Sequence, residues 1–435
     1  MENELELDDY LKQGEIFLNS GQYETALEKF EEALKLSPRS IDSYINMGIT
    51  YCCMKKYDEG ENNFKKALMI NRKSGLALFN MGNVSFLKDK LGDALAYYNR
   101  AYETGELNAE ECFTIFQIYA ENGFYQESLK YINSAIEKDP LGHELYLEKA
   151  DLYVRAREYE LAIETLNELD KVVPGLYSCY RALSRIYIGL NDENKAFELV
   201  KRFEKCAVNQ NDVIFIYLDT LLGFNKIAKA NEHLECLKEN AKYAPIAKQL
   251  AMYEAGIALR LNQKAKAAAI FEKVSDASYS DEIIGTYLIT YYYDMKDYRK
   301  VIDIASKAQA SNPKVMYGVI SDYYRNKAML MLNEPGVKEA MQELSNRLMY
   351  ITSQTPMYRD LYLYRGYVYN DLDDTKKALE MAECYKSIFP KRYEGYQLEY
   401  LVYQKMGNQD KIHEVKSEIA EKFPKFNLGE QNGKL

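Results

Sequence analysis

The chain has 435 residues, a net charge of −10, 40 tyrosines, no tryptophan and seven cysteines. An acidic chain with no basic face has nothing to offer a phosphate backbone, so nucleic acid is not an expected partner. No stretch approaches ~20 consecutive apolar residues, so no membrane span is expected.

The start, MENELELDDY, is acidic and lacks the apolar run of a secretory signal. The cysteines are odd in number and scattered, and no pair has C-x-x-C spacing. They are expected to be reduced and mostly packed on buried helical positions, in a cytoplasmic protein. Charge is uneven: residues 1–210 hold 36 acidic and 25 basic side chains, the remainder 30 and 31.

From residue 7 onward the chain repeats with a period of 34. Gly14, Gly48 and Gly82 are each 34 apart, as are Ala33, Ala67, Ala101 and Ala135, and Tyr119, Tyr153 and Tyr187. Six of the nine prolines (Pro38, Pro140, Pro174, Pro313, Pro390 and Pro424) fall near the ends of such units. A fixed period of this length means one supersecondary unit copied along the chain. Within the first unit, spacings of three and four put Tyr10, Gly14 and Phe17 on one face of a first helix. Ala26, Phe30 and Ala33 form the matching stripe of a second. Ser20-Gly21-Gln22 is short and polar, as a tight helix–helix turn requires. Pro38 lacks an amide donor and stops the second helix.

The order Tyr10, Gly14, Phe17, Ala26, Phe30, Ala33, Pro38 resembles the tetratricopeptide repeat, with tyrosine where that family often has tryptophan. The resemblance covers residues 7–426. It implies an all-α fold, a right-handed α-solenoid superhelix of about twelve helix–turn–helix repeats. Residues 1–6 are a leader and 7–244 hold seven regular units. Residues 245–315 hold two more, the first irregular, and 316–358 an expanded helical pair. Residues 359–426 hold two C-terminal units ending in a capping helix, and 427–435 a frayed tail. One continuous array is expected, with a bend where the register breaks at 245–248 and 316–358. The last helix places Ile412, Val415, Ile419 and Phe423 on one side and mostly charge elsewhere, as a solenoid end needs.

Catalysis is not expected, and neither a cofactor nor a metal. His143, His233 and His413 lie in different repeats, and neither H-E-x-x-H, a P-loop nor G-x-G-x-x-G occurs. The resemblance instead implies a protein-interaction scaffold that binds a partner segment in a concave groove lined by first helices. By position, that groove holds Asn46, Asn80 and Asn83 in units two and three. Units four and five add Glu110, Gln117, Glu144, Glu148, Asp151 and Arg155, and unit six Arg181 and Arg185. Later units add Tyr253, Tyr287, Tyr293, Tyr364 and Tyr367. The carboxylate clamp with which some relatives hold chaperone C-termini is absent. Leu11, Glu15 and Leu76 stand at its first Lys, first Asn and second Lys places, and Asn80 at its Arg place.

The expected partner is a basic, extended protein segment. Amides at 46 and 80 can read its backbone, and the acidic residues of units four and five its charge. Two rival roles are a peptide-sensing bacterial regulator and a substrate-recruiting accessory subunit of a separate enzyme. Regulators of that kind carry an effector module ahead of the array, whereas six residues precede the first unit here.

Overall fold

The computed structural model describes residues 2–311, 314–354, 360–390 and 392–424. The expected frayed tail at 427–435 and Pro313 lie outside the described residues. Among those described there are 24 α-helices and one 3₁₀ turn, with no strand. The chain falls into two compact units, Met1–Asn225 and Lys226–Leu435.

The first unit runs through α1 (Glu2–Asn19), α2 (Tyr23–Leu36), α3 (Ile41–Cys53), α4 (Tyr57–Ile70), α5 (Gly75–Leu87), α6 (Leu91–Glu103) and α7 (Ala109–Glu121). It continues with α8 (Tyr125–Lys138), α9 (His143–Arg155), α10 (Tyr159–Val172), α11 (Tyr177–Gly189), α12 (Glu193–Cys206) and α13 (Gln210–Gly223). The second unit begins with α14 (Ile227–Lys238), a 3₁₀ turn (Ala241–Ile246), α15 (Ala247–Arg260), α16 (Lys264–Val274), α17 (Glu282–Asp294) and α18 (Tyr298–Ala310). It ends with α19 (Val315–Met331), α20 (Val337–Gln354), α21 (Leu361–Asp371), α22 (Thr375–Ile388), α23 (Glu394–Met406) and α24 (Gln409–Lys422). Within each unit, successive helices pack as hairpins stacked on their neighbours, which is a solenoid.

Each hairpin turns the same way. After α3 the amide of Lys55 donates to the carbonyl of Cys52 and that of Lys56 to Tyr51 (2.8 Å), with Lys55 in the left-handed region (φ 61). This pair of bonds closes the helix C-terminus and satisfies carbonyls the helix leaves open. The same left-handed position recurs at Gly21, Asp89, Gly123, Arg157, Asn191 and Asn225, 34 residues apart each time. Further along it falls at Asn262, Lys296, Asn333, Asp373 and Gly407. Steps of 37, 37 and 40 residues end at Asn262, Asn333 and Asp373. The 3₁₀ turn precedes the first, and α19 and α20 are long, with 17 and 18 residues.

Side-chain size fixes how closely the two helices of a pair approach. A Cβ added at Gly14 would lie 2.3 Å from Phe30, and one at Gly48 or Gly82 would lie 2.4 Å from Phe64 or Tyr98. In the fourth hairpin the larger residue is on the first helix instead, Phe116 with Ile132 on the second, both buried. The residue before Pro38, Pro140, Pro174, Pro390 and Pro424 caps its helix with φ between −126 and −134. Asn71 adopts the same φ (−131) with no proline after it, so proline reinforces a turn the stack already imposes.

Burial corrects one expectation. Cys112 and Cys179 are buried, but Cys52, Cys206 and Cys384 are only partly so, and Cys53 and Cys236 are exposed. Adjacent residues such as Cys52 and Cys53 cannot share one helix face. On α24, Ile412, Val415 and Ile419 are buried against Tyr396 and Tyr400. No helix among the described residues is long and apolar enough to cross a membrane.

Candidate functional site

First helices carry the side chains singled out above. Asn46 on α3 donates through Nδ2 to Glu15 Oε1 on α1 (3.1 Å), so amide and carboxylate tie neighbouring first helices together. Asn80 and Asn83 on α5 behave differently. Asn80 is buried and donates to the Leu76 carbonyl of its own helix (2.8 Å). Asn83 Oδ1 accepts from the buried Tyr98 hydroxyl (2.9 Å). Both side chains carry a bond within the fold, Asn80 from a buried position and Asn83 from a half-buried one.

Asn83, Gln117, Asp151 and Arg185 recur at 34-residue spacing, one on each of α5, α7, α9 and α11. Gln117, Asp151 and Arg185 are exposed. Asp151 pairs with Arg155 one turn on (2.9 Å), and Arg181 on α11 reaches Asp219 on α13 at 4.0 Å. Glu110 and Glu144 are exposed and make no ion pair among the described residues. Glu148 is half-buried. Desolvation, then the charges of Asp151 and Glu144, raise its carboxyl above the usual range, against a smaller pull from Arg155.

The tyrosines of the second unit sit deeper than expected. Tyr253, Tyr287, Tyr293 and Tyr364 are half-buried. Tyr287 packs on Phe271 and donates to the Lys264 carbonyl (3.1 Å); burial pushes its phenol up to about 12. Tyr367 is only 3% exposed and its hydroxyl is buried without a partner among the described residues. It is a core side chain, because Tyr323 and Tyr364 close over it with ring centroids 6.0 and 6.4 Å away.

Sequence reasoning missed the residues at the centre of this cluster. Tyr323 and Tyr324 on α19 pack edge to face at 5.3 Å, and Tyr324 meets Tyr293 at 5.2 Å. Lys327 Nζ donates to the Tyr323 hydroxyl (2.7 Å), which donates in turn to Asp371 Oδ2 (3.3 Å). Burial keeps these phenols protonated well above neutral pH. Tyr323-Tyr324 followed by Lys327 one turn later was the available signal. The register breaks there, so counting in steps of 34 assigns these positions no helix face.

Family comparison bears on the repeat directly. A family described as TPR repeat matches residues 14–52, and one described as Tetratricopeptide repeat matches residues 113–175. No curated protein matches the sequence. Among solved structures the chain is similar to YrrB, described as a TPR protein with an unusual peptide-binding site: 24% identity, over 40% of this chain and 89% of that one, TM-score 0.31. It is also similar to PilF of Pseudomonas aeruginosa, at 16% identity over 47% and 93% of the two chains, TM-score 0.37. A third is a chain of the APC/C hetero-tetramer Cut9–Hcn1, at 12% identity over 96% and 94%, TM-score 0.42. Repeats of this kind imply a scaffold for protein–protein interaction. The hairpin turn, the glycine–aromatic contact and the two matched segments agree that the chain carries tetratricopeptide repeats.

Proposed function

We propose that the first helices of the second to fifth hairpins, α3, α5, α7 and α9, bind an extended, basic segment of a partner protein. Charge carries this reading. Residues 101–170 hold 16 acidic and five basic side chains, a net −11 that exceeds the net charge of the whole chain. Within that stretch the half-buried Glu148 has two carboxylates and one guanidinium as its charged neighbours. A lysine or arginine brought against Glu148 relieves that repulsion and replaces part of the water the carboxylate has lost. Asn46, held at Nδ2 by Glu15, offers its Oδ1 to a partner's backbone amide, while Asn80 and Asn83 already carry bonds within the fold.

The test is fluorescence polarisation of a labelled Lys/Arg-rich peptide against the full chain. Glu148→Lys is expected to weaken binding about tenfold, which corresponds to ~1.4 kcal/mol, and to flatten its salt dependence. The pH response has a defined sign. Only ionised Glu148 attracts the cation, and its carboxyl titrates above the ordinary range, so affinity rises as pH increases through that raised value and fades below it. Equal affinity for wild type and Glu148→Lys, or equal affinity for an acidic peptide, would refute the reading.

A further inference from the structure

The turn Ala241–Ile246 is the one 3₁₀ turn among the described residues. At residues 37–40 a second helix passes to the next first helix through a short link; here a six-residue turn containing Pro245 intervenes between α14 and α15. The Asn240 side chain accepts from the Lys242 amide (3.0 Å) and fixes the turn's entry. Beside it lies an open cleft of about 710 Å³ bounded by α14, the turn, α15 and α16. Leu237 and Leu250 are its buried floor, and the half-buried Ile270 and Val274 form a wall. Ala247 and Ala251 line it from α15 with small side chains, a low alanine wall.

The rim is basic. Glu254 is its acidic member, and it is already held by Lys238 (2.8 Å) and Lys266 (3.4 Å). Lys248 on α15 and Lys273 on α16 make no ion pair among the described residues and are exposed. Residues 226–275 hold nine basic and five acidic side chains in a chain that is acidic as a whole.

We propose that this cleft docks an acidic amphipathic helix of a partner protein. Its apolar side chains at i, i+3 or i+4 and i+7 fill the space between Leu237 and Ile270, and its flanking Asp or Glu residues meet Lys248 and Lys273. A void this large matches several apolar side chains rather than one. The low alanine wall lets a helix backbone come close. Lysines on two separate helices accommodate two separate carboxylates, more than the single head of a fatty acid provides. This surface is built from α14 to α16, whereas the one proposed above is built from α3, α5, α7 and α9.

The experiment uses the full chain and three probes. One is a labelled helical peptide of about 18 residues (five turns) with leucine on one face and glutamate beside it. The second carries glutamine for glutamate, and the third is oleate. The glutamate peptide should bind about tenfold more tightly than the glutamine peptide. The double variant Lys248→Glu with Lys273→Glu, which alters only exposed side chains, should weaken the first by about tenfold and leave the second unchanged. Glu148→Lys should leave both unchanged, which separates this site from the acidic one. The proposal is overturned if the two peptides bind alike, if the double variant has no effect, or if neither peptide binds. Oleate binding in place of the peptide, or self-association of the chain that the double variant abolishes, overturns it as well, since the occupant is then a lipid or a second copy.

Discussion

Lys55 holds a backbone conformation that the first and fourth hairpins give to glycine. Its side chain is exposed, so nothing but the backbone demands this place. A left-handed residue with a Cβ carries a penalty that glycine avoids, roughly 1 kcal/mol. Lys55→Gly is therefore expected to raise stability by about 0.5–1 kcal/mol, read as a shift in the urea midpoint with unchanged slope; a decrease would show that the lysine side chain matters there. The same comparison shows which residue-scale features could be read from the sequence. Gly14, Gly48 and Gly82 announce themselves because each faces an aromatic ring with no space for a methyl group. The turn position does not, because Gly, Asn, Asp, Lys and Arg all occupy it at different cost. A requirement on the backbone leaves a weaker trace than a requirement on packing.

Helix length decides where the repeat stays legible. From α1 to α13 each hairpin turn follows the last by 34 residues, so any residue can be assigned a face by counting. The 3₁₀ turn before α15 ends that, the long α19 and α20 break the spacing again, and the Tyr323 cluster lies where counting fails. Counting also yields a face but no depth: it placed Asn80 and Tyr367 correctly on first helices, yet both are buried by neighbours from other helices. Within the cluster, the two tyrosines make opposite demands. The Tyr323 hydroxyl bonds both members of the Lys327–Asp371 ion pair between α19 and α21, so Tyr323→Phe removes two part-buried hydrogen bonds to charged groups and is expected to cost ~1–3 kcal/mol. The Tyr367 hydroxyl is buried without a partner, so Tyr367→Phe is expected to be neutral or stabilising by up to ~1 kcal/mol. Chemical denaturation of the two variants side by side decides this; an equal loss in both would mean that the Tyr367 hydroxyl has an essential partner.

At the scale of the molecule, stability is built from neighbour contacts, since each hairpin packs on the one before and the one after. The first six hairpins, α1 to α12, therefore contain nearly all they need, and a fragment of residues 1–208 is expected to fold alone and melt cooperatively. It forfeits the packing of α13 on α11 and α12, where Ile216 joins the core of α9 to α12. Charge sets how this fragment differs from the remainder. Residues 1–208 carry 36 acidic and 25 basic side chains, against 28 and 31 in residues 226–435. Like charges crowded on one stack repel, and salt screens that repulsion over about 10 Å at 0.1 M. The melting temperature of the fragment should accordingly rise by a few degrees (~3 °C) between low and moderate ionic strength, and a basic peptide bound to the acidic face should reproduce part of that gain without salt. A fragment that is unfolded at room temperature would overturn the claim of local stability, and a melting temperature that falls with salt would show that ion pairs, not repulsion, dominate this half of the chain.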